Sequence, residues 1–115
     1  MSNAQSAFTT AFTHAMDESA RHMGYILNRC FSEDILEIEP SAAAEAAWVE
    51  EIVSLSRFNE EFQASCTPGY YNNEGKPNPR SIQNGSYGRG PNPYFRKMAA
   101  WREEGSMAGL EQRRR

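Results

Sequence analysis

The sequence predicts a mainly helical chain with a few short strands (an α+β class): three helices and one long loop rich in glycine and proline. Three observations predict it. Apolar side chains recur at helical spacing over residues 12–31. An alanine-rich run opens just after Pro40. Five of the six prolines (Pro68, Pro77, Pro79, Pro91, Pro93) and five of the eight glycines (Gly69, Gly75, Gly85, Gly88, Gly90) fall within residues 66–93.

The first helix is expected over residues 13–31. Phe12, Met16, Ala20, Met23, Leu27, Cys30 and Phe31 form one apolar stripe of 3.6-residue period. Thr10 and Thr13 are the candidate caps, and Asp17 and Glu18 suit the early turns electrostatically. Ile35, Leu36 and Ile38 then read as a brief edge strand that Pro40 ends. The second helix is expected over residues 41–64, with Pro40 or Ser41 as its start signal. Ala44, Trp48, Ile52, Leu55, Asn59 and Phe62 lie near heptad spacing along it. At 1.5 Å per residue it would be about 36 Å long, more than a small three-helix globule needs, which suggests a surface helix laid against something larger.

Residues 66–92 read as loop, with one or two short strands expected over 80–87 and Asn84-Gly85 as a turn signal. The last helix is expected over residues 93–104, with Tyr94, Phe95, Met98 and Trp101 on one face and Gly105 as its stop. The arginine tail is expected to fray.

With 115 residues there is room for one domain at most. Hydrophobic residues make up 39% and mean hydropathy is −0.73, against an ordinary apolar share of about 45–50%, so the chain is poorly equipped to build a core alone. The apolar runs are too short for a membrane span, and the N-terminus shows no basic and apolar signal pattern. Two cysteines make neither a disulfide framework nor a zinc site, so a reducing, cytoplasmic setting is expected. A net charge of −3 does not suggest a nucleic-acid binder. The halves differ: residues 1–60 carry three basic and ten acidic side chains, and residues 61–115 carry nine and five. The second half therefore either meets something anionic or packs on the first.

Few residues point to chemistry. His14 and His22 are eight apart on one helix, about 12 Å along its axis, too far to share a metal. Cys30 lies on the apolar stripe, where an inert thiol is expected, and Cys66 opens the loop. The adjacent pairs Glu50-Glu51 and Glu103-Glu104 read as solvated faces. GSYGRG at residues 85–90 is a weak phosphate-loop signal against plain turn geometry, since it lacks the order G-x-G-x-x-G. CTPGYYNNEGKP at residues 66–77 is more informative. Tyr70 and Tyr71 offer planar surfaces, Asn72 and Asn73 both donate and accept, and Lys76 is a point charge for a phosphate or carboxylate. A loop closing over a nucleotide cofactor uses such groups, and so does an ordinary irregular loop.

That segment, followed by SIQNGSYGRGPNPYF (residues 81–95) and AAWREEGSMAGLE (residues 99–111), resembles the carboxyl-terminal end of Baeyer–Villiger-type flavoprotein monooxygenases. The front half agrees: AQSAFTTAFTHAMDESARHMGYIL (residues 4–27) and IEPSAAAEAAWVEEI (residues 38–52) resemble two successive helices of that family. The resemblance implies that the chain is a carboxyl-terminal piece of a flavoprotein with two dinucleotide-binding domains. Such enzymes use FAD and NADPH to insert one oxygen atom of O2 into a ketone or related carbonyl substrate. Their glycine-rich fingerprints and catalytic arginine are absent here, so no catalytic residue is assigned, and the chain alone is expected to be inactive and to bind neither cofactor.

By the same resemblance, Thr10, Ala11 and Phe12 at the start of the first helix face the flavin. The loop from Thr67 through Lys76, with Tyr70, Tyr71 and Asn72, folds over the nicotinamide cofactor. Many relatives carry a tryptophan near the position of Thr67, and this chain does not. The implied partner is the remainder of the flavoprotein, in cis or in trans as the docking subunit of a split enzyme, with no nucleic acid and no membrane. The competing expectation is a small non-enzymatic helical protein that binds a partner through a Trp48/Leu55/Phe62 face.

Overall fold

The computed structural model describes residues 9–56, 60–69, 72–76 and 82–115. Helix α1 spans Phe12–Ser32 and packs against α4, Pro91–Glu104. Between them in sequence come β1 (Ile35–Pro40), α2 (Ala42–Ser54) and the short α3 (Glu60–Ser65), and β2 (Leu110–Arg114) follows α4.

Neither expected threonine caps α1. Its N-cap is Ala11, with no side-chain cap bond, and the Ala11 amide instead donates back to Thr9 Oγ1 at 3.1 Å. At the other end Asp34 adopts a left-handed φ of 53° and turns the chain into β1. Of the two start signals for α2, Ser41 is the cap: its Oγ accepts from the Ala44 amide at 3.2 Å.

The single helix expected over residues 41–64 is broken. α2 stops at Ser54, and helix resumes at Glu60, residues 57–59 lying outside the described set. The reasons are local and tertiary. Ile52, Val53, Ser54 and Ser56 are indifferent helix formers, and the Ser54 hydroxyl bonds the Glu51 carbonyl at 2.9 Å. Gly88 also packs directly on the end of the helix, so close that a Cβ there would stand 1.8 Å from the Leu55 carbonyl oxygen. The over-long surface helix therefore does not exist. Nor does the continuous Trp48/Leu55/Phe62 face: Trp48 is covered by Tyr87, and Phe62 belongs to α3.

The last helix begins two residues before the expected Pro93. Gly90, at φ 87°, is its N-cap and Pro91 occupies the first turn, where a missing N–H leaves no bond unmade. Gly105 ends it in the left-handed conformation, as its position suggested.

Among the described residues the strands are β1 and β2, paired antiparallel with Ile38 opposite Gln112 and Pro40 opposite Leu110. No strand occurs among described residues 82–90, where one was expected. The arginine tail is ordered instead of frayed. Arg113 bonds Glu37, Arg114 meets Glu33 at 2.9 Å, and the Arg115 amide donates to Asp34 O at 3.1 Å.

Among the described residues the buried apolar set is small: Ile35, Ile52, Tyr87 and Met107. The apolar stripe of α1 does not join it. Phe12, Met16, Met23, Leu27 and Phe31 are all exposed, Phe31 by 83%. The opposite side of α1 does the packing, through Glu18, His22, Tyr25 and Arg29. Trp101 lies 5.1 Å from the His22 ring and 6.1 Å from Tyr25, and Phe95 meets His14 edge-on at 5.0 Å. The Arg29 guanidinium bonds Glu33, donates to Tyr25 Oη at 2.9 Å and to the Gly105 carbonyl at 2.7 Å, placing a cation on the negative end of α4. The radius of gyration is 16.2 Å, against about 13 Å for a compact chain of this length. No helix among the described residues is long and apolar enough to cross a membrane.

Candidate functional site

Two loops and one helix end carry the residues singled out by sequence. The first loop, described over residues 66–69 and 72–76, is organised by Asn72, which is 4% exposed. Its Oδ1 accepts from the Gly69 amide at 2.8 Å and the Gly75 amide at 3.1 Å. Its Nδ2 donates to Thr67 O at 3.0 Å and Cys66 O at 3.4 Å. Around it Asn73, Glu74 and Gly75 follow one another at φ values of 51°, 56° and 78°. Such a left-handed run is rare for residues with a Cβ. The Asn73 Nδ2 closes the loop on the Lys76 carbonyl at 2.8 Å.

Thr67 and Asn72 are thus brought into one hydrogen-bonded unit, with the Thr67 and Lys76 side chains exposed at its two ends. Tyr70 and Tyr71 lie outside the described residues. Thr10, Ala11 and Phe12 stand apart at the start of α1. That helix has no acidic residue in its first turn and no side-chain cap, so its leading amides and positive dipole end are not neutralised from within the helix.

The second loop holds GSYGRG, and turn geometry accounts for it. The Gly85 amide donates to Ile82 O at 2.9 Å and the Gly90 amide to Tyr87 O at 3.0 Å, which leads directly into α4. Its anchor is Tyr87, 5% exposed and stacked on Trp48 with ring centroids 5.8 Å apart and planes 4° from parallel. Tyr87 Oη donates to Glu51 Oε1 at 3.0 Å, and Lys97 Nζ donates to both Glu51 oxygens at 3.0 and 2.8 Å. Lys97 also sits 5.8 Å from the Trp48 ring centroid. The Lys97 bond, more than any other influence, holds the Glu51 carboxyl below its usual range. Burial, then the Glu51 contact, pushes the Tyr87 hydroxyl up.

Glu51 is therefore a junction between α2, α4 and the loop, and not the solvated residue its neighbour Glu50 suggested. The signal for it is faint but present: Trp48 and Glu51 on α2, like Tyr94 and Lys97 on α4, are aromatic–charge pairs three residues apart on one face.

The histidines are separate. His14 is exposed, and His22 is held below the ordinary value of 6.5 by burial and by Arg102. The described residues contain no group of three or more potential metal ligands. Cys30 and Cys66 are unpaired and half-buried.

Comparison with known proteins gives no matching family model and no matching solved structure. Curated sequences do match. Neopentalenolactone D synthase of Streptomyces avermitilis is 38% identical over 98% of this chain and 19% of its own length. A Baeyer–Villiger monooxygenase of Stachybotrys chlorohalonatus is 32% identical over 96% of this chain and 18% of its own. An FAD-binding monooxygenase of Hypomyces subiculosus is 28% identical over the same shares. The chain corresponds to a carboxyl-terminal piece of a Baeyer–Villiger-type monooxygenase. It spans about a fifth of the length of the curated relatives it matches. Within such a monooxygenase piece, the absence of any G-x-G-x-x-G run means that this chain carries no dinucleotide fingerprint of its own.

Proposed function

We propose that this chain serves as the carboxyl-terminal part of an FAD- and NADPH-dependent monooxygenase that inserts one oxygen atom of O2 into a ketone or related carbonyl substrate. In this reading the start of α1, at Thr10, Ala11 and Phe12, completes the flavin site. The loop from Thr67 through Lys76, including Tyr70, Tyr71 and Asn72, covers the nicotinamide cofactor. The observation that carries the reading is an alignment over 98% of the chain with one fifth of a much longer synthase.

The bound cofactors would supply hydride donation and oxygen activation, and the chain's own residues supply position and electrostatics. The uncapped amides of α1 attract negative charge to that end of the helix. Lys76, exposed on a fixed backbone, is available to a phosphate. The apolar stripe of α1 supports the same reading: its other face is occupied by α4, and five large side chains are left for the preceding part of the protein to cover.

The test is a chimera in which this chain replaces the matching fifth of the Streptomyces avermitilis relative. It is expected to purify with flavin and to oxidise NADPH, while the isolated chain given FAD, NADPH and a ketone yields no ester. Ester from the isolated chain, or a well-folded chimera without flavin, would overturn the proposal.

A further inference from the structure

We infer that Asn72 is the positioning residue of the 66–76 loop: its carboxamide builds the loop from inside, and Thr67 and Lys76 are presented by that frame while Asn72 itself touches no cofactor. The inference rests on the reading that this loop faces the nicotinamide cofactor, and it reassigns the residue within it.

Four described hydrogen bonds of the Asn72 side chain, two accepted and two donated, engage both ends of the carboxamide. The orientation is set by its surroundings, because two amide N–H groups converge on one side and two carbonyls on the other, so a flipped amide would oppose all four. Aspartate has no donors for Thr67 and Cys66, and alanine has neither half.

The backbone around Asn72 explains why such a frame is needed. Three successive left-handed residues, two of them with side chains, persist only where the surroundings over-determine them. The Gly75 amide, at the end of that run, is one of the two held by Oδ1. Gly75 is itself confined, since a Cβ there would stand 3.1 Å from Pro68 Cγ. A loop of this kind is shaped before any ligand arrives, which lowers the ordering cost of binding.

Amide hydrogen exchange on the full 115-residue chain tests the frame. In the parent chain the Gly69 and Gly75 amides are expected to be protected. In Asn72→Ala both should exchange about tenfold faster, the equivalent of one lost hydrogen bond. The Gly105 amide, bonded to Trp101 O at the far end of α4, should not change. Asn72→Asp keeps the acceptor half and should accelerate the two glycines less than alanine does. Equal exchange at Gly69 and Gly75 in the parent and in Asn72→Ala would overturn the inference. So would acceleration that includes Gly105.

In the chimera, Asn72→Ala should raise the KM for NADPH severalfold at unchanged flavin content and kcat. Altered exchange with an unaltered KM would retain the frame and reject the cofactor-facing reading of the loop.

Discussion

The two glycine-bearing loops are held in opposite ways. The described residues 66–69 and 72–76 are shaped from within by a neutral amide, Asn72, with four described side-chain bonds to the loop's own backbone. Residues 82–90 are held from without. Tyr87 is clamped between Trp48 and Glu51 on α2, with Lys97 of α4 completing the junction. The first loop carries its shape with it, and the second has a shape only while α2 and α4 stay in register. One is insensitive to charge, and the other depends on a carboxylate.

The largest break in that comparison is expected from Gly88→Ala. The added Cβ would meet backbone, the Leu55 carbonyl, at 1.8 Å, and backbone cannot rotate away as a side chain does. A loss of about 2–3 kcal/mol in calorimetric unfolding is expected. Exchange at Gly90 should rise while Gly69 and Gly75 are unaffected. A simultaneous rise in all three would show the loops to be one unit.

Glu51→Gln comes next. It removes the ion pair while leaving an acceptor for Tyr87, and should cost about 1 kcal/mol. Tyr87→Phe, which keeps the stack on Trp48 and deletes the bond to Glu51, should cost a similar amount.

Acid sharpens the contrast further. The Glu51 carboxyl is held below 4.5, chiefly by Lys97. A depressed carboxyl contributes stability that is fully present above its unfolded value and lost as pH falls through the folded one. Protection of the Gly90 amide should therefore decline below pH 4.5, with Lys97, Arg89 and Tyr87 as the neighbours that set the range. Protection at Gly75, held by an amide that does not titrate, should persist to lower pH.

The smallest effect is expected from Lys97→Met. The lysine is half exposed, and salt screens such pairs, so a change of about 0.5 kcal/mol, shrinking in high salt, should appear in denaturant unfolding.

What the sequence disclosed followed the range of the interaction. Ser41 as a cap and Gly105 as a stop are local signals, and both were legible. The break after Ser54 was not, because it depends in part on Gly88 arriving from 33 residues away. β2 was missed for the same reason: a run of arginines looks frayed until Glu33 and Glu37 are known to lie opposite. The stripe of α1 was correctly periodic, but period alone does not say whether the cover for a face lies within the chain. At the candidate site, Asn72 was recognised by residue type, while its described backbone partners appeared only once Cys66, Thr67, Gly69 and Gly75 were seen folded round it.

The chain's two tryptophans stand in two different neighbourhoods, Trp48 under Tyr87 and Lys97, Trp101 beside His22. Each is therefore a built-in optical reporter of a different event. On acidification Trp101 emission should dim as the His22 imidazole, held below its ordinary value by burial and by Arg102, takes up a proton and becomes a quencher. Trp48 should respond separately, when Glu51 is neutralised and its bonds to Lys97 and Tyr87 weaken. A single fluorescence titration, repeated with each indole removed in turn, separates the loosening of the helix pair from the release of the loop without any added label.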